Sequence, residues 1–141
     1  MFSSTYLKVQ LYQNSNGDDE ARLLEDFSFL TKDGVLITAK KGFYFDGASI
    51  PRFFWRIIGH PLSTKYIRSA CIHDLLYATE VFDREKSDLI FEDALTHDNV
   101  SDWKIQPMYG AVRIGGGSAW KNHTAESIHK NLNYIEMETI A

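Results

Sequence analysis

The sequence predicts an α+β domain. Two observations carry that prediction. The first 45 residues hold short runs rich in β-formers, several alternating apolar and polar side chains, and from Ser49 to about residue 130 the apolar residues recur at helical spacing. Elements segregated in this way, strands first and helices after, argue against a doubly wound sheet, in which the two would interleave. The 141 residues fit a single domain, 1–141, β-rich over 1–45 and α-rich over 49–130. An apolar share of 44% and an aromatic share of 13% supply enough surface for a core.

The strands come first. Tyr6 to Tyr12 alternates and reads as a strand, and the polar stretch Asn14 to Glu20 around Gly17 reads as a loop. Phe27 to Thr31 and Val35 to Ala39 read as a β-hairpin. The Asp33-Gly34 pair between them predicts a type I′ turn, with positive φ at both centres. Phe43-Tyr44-Phe45 is short and extended, and it leads into Asp46-Gly47-Ala48-Ser49-Ile50-Pro51.

The helices follow. Arg52 to Ile58 is a short helix opened by Ser49 as N-cap and Pro51 in the first turn. Gly59-His60-Pro61 breaks it. Ser63 caps a helix from Thr64 to Thr79, and Asp83 caps one from Arg84 to Leu95 with Leu89, Phe91, Ala94 and Leu95 inward. The short link between these two predicts an antiparallel pair across residues 63–97. Pro107 opens a third run, Met108 to Ile114, and Gly115-Gly116-Gly117 interrupts the pattern. Helix is expected again from Trp120, while residues 131–141 give no clear signal. The expected single core joins Phe43, Phe54, Trp55, Ile67, Ala70, Leu75, Phe91 and Leu95.

Composition narrows the function classes. A net charge of −4 argues against a nucleic-acid partner. Arg52, Arg56, Lys65 and Arg68 cluster, but among Phe53, Phe54 and Trp55, as on a solvated face around an aromatic core. Cys71 is the sole cysteine, so no intrachain disulfide forms, and its apolar neighbours predict a buried structural thiol. No apolar run approaches the ~20 residues of a membrane span. Met1 to Gln10 lacks the basic-then-apolar order of a signal peptide, so residence in the cytoplasm is the default expectation. His60, His97, His123 and His129 lack zinc-site spacing. The triple glycine lacks the Gly-Lys-Ser/Thr ending of a phosphate loop.

The chemistry concentrates in one helix. His73 and Tyr77, four residues apart, share a face, and Ala70 leaves room beside Asp74. His73 can act as a base near neutral pH, and Asp74 offers a hard oxygen ligand or an orienting hydrogen bond. Asp88 follows His73 by 15 residues with the inter-helix turn midway, so the two can meet. A carboxylate holding a histidine tautomer is a recurring feature of histidine bases. The competing reading pairs Asp88 with Arg84, Lys86 or Arg68, and makes His73 and Asp74 structural. At the Asp46 turn, Gly47 permits positive φ and close backbone approach, and Ser49 sits at a helix start. Asp46 is there either a second oxygen ligand beside Asp74 or a turn residue bonded to its own backbone.

Cys71-Ile72-His73-Asp74-Leu75-Leu76-Tyr77 resembles the catalytic helix of secreted and parvoviral phospholipases A2, whose core is His-Asp-x-x-Tyr backed by an Asp from an antiparallel helix. The resemblance implies His73 as the base, Asp74 as a calcium ligand, and Tyr77 with Asp88 as supports. The disulfide positions of that family fall on Ser69, Ala70 and Leu76, and its glycine-rich calcium loop has no counterpart here. A longer series of motifs is similar, in order, to the phage and prophage domain-of-unknown-function family 1353 over about residues 30–120. It runs from Gly42 through Arg52 to Trp55, then His73 to Tyr77, Arg84 with Asp88 and Phe91, Met108-Tyr109, Ala111 to Arg113, and Trp120. This resemblance implies a phage origin, with residence in the host cytoplasm or a virion, and no established activity.

Two functions follow as expectations. One is a small hydrolase of ester, lipid or cell-wall bonds, with His73, Asp88 and Tyr77 catalytic, Asp74 and Asp46 holding a divalent cation (calcium ahead of zinc), and Gly47 and Ser49 forming a binding turn. The other is a non-catalytic virion or tail component, or an inhibitor of a host protein.

Overall fold

A computed structural model describes residues 1–63 and 65–140. Its strands form two three-stranded antiparallel sheets, among the described residues. The first joins β1 (Val9–Gln13), β2 (Asp19–Leu23) and β5 (Tyr44–Phe45) in the order β1-β2-β5. The second joins β3 (Phe27–Leu30), β4 (Val35–Ala39) and β6 (Ile135–Thr139) in the order β3-β4-β6. The helices are α1 (Trp55–Ile58), preceded by a 3₁₀ turn at Arg52–Phe54, α2 (Ile67–Thr79), α3 (Arg84–His97), α4 (Asp102–Gly115), α5 (Gly117–Lys121) and α6 (Ala125–Asn131). The expected α+β class, with antiparallel strands first and the α2–α3 pair after, is the class observed.

Several local expectations are corrected. The first strand begins at Val9, not Tyr6, because the chain first runs beside β3, where Phe2 packs on Phe27 and Phe29 at 5.4 and 4.9 Å between ring centroids. The expected loop Asn14 to Glu20 ends early. Asn14 Oδ1 accepts from the Asn16 and Asp18 amides, and β2 starts at Asp19. Its acidic opening hid the alternation that buries Ala21 and Leu23. The β3–β4 turn is a three-residue loop, not type I′. Thr31 N–H donates to Val35 O, and of Asp33 and Gly34 only Gly34 has positive φ, +83°. The tail forms β6, pairing Ile135 with Ala39 and Met137 with Ile37.

The helix starts differ too. The expected Thr64 start lies outside the described residues. Helix α2 begins at Ile67, and Ser63 does not cap it. Its first turn is held instead by Asp98, which accepts from the Ser69 amide and hydroxyl and pairs with Arg68 Nε at 2.7 Å. Asp83 caps α3 as expected, accepting from the Lys86 amide. Pro107 lies inside α4 rather than opening it, on an exposed stretch of the second turn. Phe91, Ala94 and Leu95 face inward on α3 as expected, while Leu89 points outward and Ile90 takes its place.

Helix α2 decides where the core sits. It is buried nearly all round, as a helix enclosed on every side must be. Cys71, Ile72, Leu75 and Leu76 pack with Phe29, Ile37 and Phe43 from the sheets. Ala70 belongs to a second cluster with Ile50, Phe91, Leu95, Met108 and Val112, bordered by Phe54 and Trp55. The single core expected from the sequence is therefore two clusters, because α2 stands between them. The polar residues of α2 sit at this divide.

Candidate functional site

The site is assembled from a turn and three helices. After β5 the chain makes a tight turn in which the Ala48 amide donates to Asp46 Oδ1 at 2.8 Å. Gly47 has φ +78°, and a Cβ there would stand 2.4 Å from Pro61 Cβ, so both backbone and space require glycine. Asp74, on α2, fastens this turn. Its Oδ2 accepts from the Gly47 amide at 2.7 Å, and its Oδ1 accepts from the Ser49 amide at 3.3 Å and is bonded to the Ser49 hydroxyl. Ser49 is thus not the expected N-cap of α1; its side chain is drawn into the core by α2.

The chain of polar groups continues inward. Ser49 Oγ lies 2.8 Å from His73 Nδ1, and His73 Nε2 lies 2.7 Å from Asp88 Oδ1. The Tyr77 hydroxyl donates to the same Asp88 oxygen at 2.7 Å, and Arg113 Nη1 donates to the other at 2.7 Å. The His73 ring is clasped between Tyr77 and Phe91, each 4.4 Å away between centroids. His73 and Asp88 are 0% exposed. The second imidazole nitrogen meets Ser49 rather than the cleft.

Hydrogen-bond counting narrows where the protons can sit. Asp88 accepts from Tyr77 and Arg113 and is held ionised, so His73 Nε2 carries a proton. Ser49 owns one hydroxyl hydrogen but stands between two acceptors, His73 Nδ1 and Asp74. Two arrangements satisfy the network: a protonated Asp74 donating to Ser49, which donates to a neutral His73, or a charged His73 donating to Ser49, which donates to an ionised Asp74. Electrostatics favour the first. Burial, with the nearby Asp46 charge, pushes Asp74 up to about 7 against its hydrogen bonds from Ser49 and Gly47. Burial lowers the His73 pKa, outweighing the raising effect of Asp88. Burial also pushes Asp88 upward, but His73, Tyr77 and Arg113 together hold it below the usual carboxylate range. Cys71 is fully buried, and that burial raises its thiol well above its ordinary value, as an inert structural cysteine requires.

The outer end of this chain opens on a cleft of about 350 Å³. Ser49, Asp74, Tyr77, Asp46 and Tyr44 line it together with His123 and α6 residues Ser127, Lys130 and Asn131. His73 and Asp88 lie behind.

Comparison with known proteins places the fold and site in a family. The model of the family described as "Protein of unknown function (DUF1353)" matches residues 21–112. The chain belongs to the DUF1353 family. The matched segment contains the Asp46 turn, α2, α3 and Val112, hence Ser49, His73, Asp74, Tyr77 and Asp88. This DUF1353 chain is 35% identical over 94 residues to the uncharacterized protein y4jT of Sinorhizobium fredii, covering 67% of the chain and 28% of the relative. It is 31% identical over 101 residues to the uncharacterized protein y4iH of the same organism, covering 71% of the chain and 42% of the relative. The chain therefore spans well under half the length of these curated relatives. No solved structure matches it.

Sequence reasoning passed over one group that the DUF1353 fold brings in. Arg113 closes on Asp88 from α4, 25 residues away in sequence. It stood in the Ala111 to Arg113 motif of the family resemblance, but nothing in the sequence tied it to Asp88. Arg84, four residues before Asp88, reaches the end of α4 at the Val112 and Arg113 carbonyls, with its Nε 3.9 Å from Asp88. Arg68, another expected partner, serves Asp98.

Both Asp74 oxygens face N–H or O–H donors, and Asp46 Oδ1 faces the Ala48 amide. A calcium ligand set needs several oxygens converging on one point.

Proposed function

We propose that this chain is a small hydrolase of ester or amide bonds, in lipid or cell-wall material, with Ser49 as nucleophile. One observation carries the reading: a hydroxyl, an imidazole and a carboxylate stand in sequence, Ser49–His73–Asp88, at 2.8 and 2.7 Å. That order of nucleophile, base and orienting acid recurs on unrelated folds, recognised by geometry rather than by position in sequence. Here Nδ1 faces the serine and Nε2 the carboxylate.

The proton inventory supports a balanced cycle. Ser49 Oγ attacks the carbonyl carbon while its proton passes to His73 Nδ1, and Asp88 stabilises the imidazolium. Asp74, protonated and lining the cleft, gives its proton to the leaving group. Water then attacks the acyl-serine, returning a proton to Asp74, and His73 returns the other to Ser49. A carboxyl near 7 suits an acid that must also serve as a base. This modifies the expectation that His73 activates water directly, since His73 is sealed from the cleft. The motif order from Gly42 to Trp120 supports a phage or prophage origin, and with it a place of work in the host cytoplasm or virion.

The non-catalytic reading is favoured by one observation: every side-chain polar atom of His73 and Asp74 is used in joining α2 to the turn or to α3. A panel of nitrophenyl esters and peptide amides separates the two. The hydrolase reading expects turnover by the wild type and loss of at least about a thousandfold in kcat for Ser49→Ala, whose fold is checked by its amide spectrum. Absence of turnover over the panel, with strong destabilisation of Ser49→Ala, leaves the network purely structural.

A further inference from the structure

Strands β1, β5, β3 and β6 are the outer strands of the two sheets among the described residues, and all but β1 are closed to a further strand. Along β3 the first residues of the chain take up the edge, where the Ser3 amide donates to Ser28 O and the Leu30 amide to Met1 O. Strand β5 is only two residues long. Strand β6 carries Glu136 and Glu138, and charges of this kind guard an edge. Strand β1, Val9-Gln10-Leu11-Tyr12-Gln13, has no charge, glycine or proline. Its register shows which of its backbone groups are free. Lys8 O accepts from the Leu24 amide and the Asn14 amide donates to Asp18 O, so the even-numbered residues bond to β2. Val9, Leu11 and Gln13 therefore turn their N–H and C=O groups outward. Val9 and Leu11 stand opposite Leu23 and Ala21, both buried, so their side chains share the core face of the sheet. Yet Leu11 is 63% exposed. An open apolar side chain on the core face, beside a row of outward backbone groups, marks a sheet that takes one more strand.

We propose that this strand is β1 of a second copy, the two chains joining edge to edge about a twofold axis at Leu11 into one continuous antiparallel sheet. The edge is self-complementary, as a twofold contact requires. Alignment about Leu11 sets Val9 opposite Gln13 and Leu11 opposite Leu11. The outward N–H and C=O groups of each copy then meet those of the other, and each Leu11 covers its counterpart. On the other face Gln10 meets Tyr12 and Lys8 meets Asn14. The charges there complement each other. Glu20 lies over β1, with its oxygens 2.7 Å from the Tyr12 hydroxyl and 2.7 Å from Asn14 Nδ2. Lys8 is exposed, and the alignment carries the second copy's Lys8 to Asn14, within reach of that carboxylate. The same operation on β6, about Met137, sets Glu136 opposite Glu138 at both ends, and like charges directly opposite repel. The edge that accepts a second copy is thus β1 and not β6. Ser49, His73 and Asp88 take no part in this contact, so it stands or falls apart from the hydrolase reading.

Sedimentation equilibrium of the full chain, from about 1 μM to about 500 μM, tests the contact, and a dimer with Kd at or below about 100 μM is expected. Leu11→Pro removes an N–H that β2 does not use, and proline is tolerated on an edge strand where that side faces outward. Leu11→Lys sets two ammonium groups directly opposite each other. Each is expected to raise Kd at least about tenfold, with amide spectra reporting that the fold is kept. Lys8→Glu, at an exposed position, is expected to raise it at least about threefold by facing Glu20 with a like charge. Hydrogen exchange locates the contact. The Val9, Leu11 and Gln13 amides are expected to gain protection as concentration rises, and those of Ile135, Met137 and Thr139 are not. A chain monomeric at about 500 μM, a Kd that any of these variants leaves unmoved, or protection gained at β6 in place of β1 overturns the proposal.

Discussion

At the scale of single residues the site is governed by one hydrogen. Ser49 cannot donate to both a neutral His73 and an ionised Asp74, so a proton on Asp74 orders the chain from turn to α3 while His73 is neutral. Asn reproduces that protonated carboxyl, with an amide to donate to Ser49 and a carbonyl to accept from Gly47. Asp74→Asn is therefore expected to stay within about 1 kcal/mol of wild type, whereas Asp74→Ala leaves the Gly47 and Ser49 donors unpaired at about 1–3 kcal/mol each. Urea melts check both. Their pH dependence has a defined sign. Asp74 is raised from its unfolded value of about 3.9 to about 7, so its contribution is full below about pH 4 and is lost as pH rises through 7. His73 is lowered, so its contribution is present above its unfolded value of about 6.5 and is lost as pH falls through the folded value. The two oppose each other in the wild type. Asp74→Asn removes the first, and its stability relative to wild type is expected to climb between pH 4 and 7. A constant difference across that range would show that Asp74 is ionised throughout.

At the scale of elements, the β5–α1 turn and helix α2 are one unit. The turn's backbone N–H groups end on Asp74, and its left-handed residue presses on Pro61. Gly47→Ala places a side chain at φ +78° and within contact of Pro61. It is expected to cost at least about 1–2 kcal/mol from backbone conformation, with the clash added. Thermal melting measures the loss, and the His73 ring resonances should shift with it because Ser49 moves. Melting within a degree of wild type would show that the turn is not coupled to α2. The α2–α3 pair was legible in the sequence through Asp83, the short connection and the 15-residue spacing of His73 and Asp88. The inward face of α3 was legible at Phe91, Ala94 and Leu95 but not at Leu89, because Leu89 and Ile90 are equally apolar and only packing chooses which faces inward. The cap of α2 was not legible either, since Asp98 comes from the far end of α3.

At the scale of the whole molecule, β6 brings the last strand back to β4, so the second sheet is complete only when the chain's two ends meet in it. Deleting residues 135–141 uncovers the β4 edge and its unpaired backbone groups. The shortened chain is expected to melt at least about 5 °C lower and to associate further than the full chain, read by calorimetry and light scattering. An unchanged melting temperature and an unchanged association state would show that β6 adds nothing to the sheet. The same closure carries α6 across the cleft mouth, where Lys130 reaches Tyr44.

The sequence by itself determined the fold class, the β3–β4 hairpin, the capped α3 and the grouping of His73, Tyr77 and Asp88, because each rests on spacing within one or two neighbouring elements. It also named Ser49, Asp46 and Gly47 as a turn of interest. Only the tertiary structure decided what they do. Ser49 turns inward because α2 presents Asp74 and His73 to it, Asp46 bonds its own turn, and Arg113 arrives from α4 to hold Asp88. The cleft likewise has walls from β5 and α6, 86 residues apart at the Tyr44–Lys130 contact. Local periodicity records which side of an element is apolar. It does not record which distant polar group will meet a buried one, and in this protein those meetings set the protonation of the site.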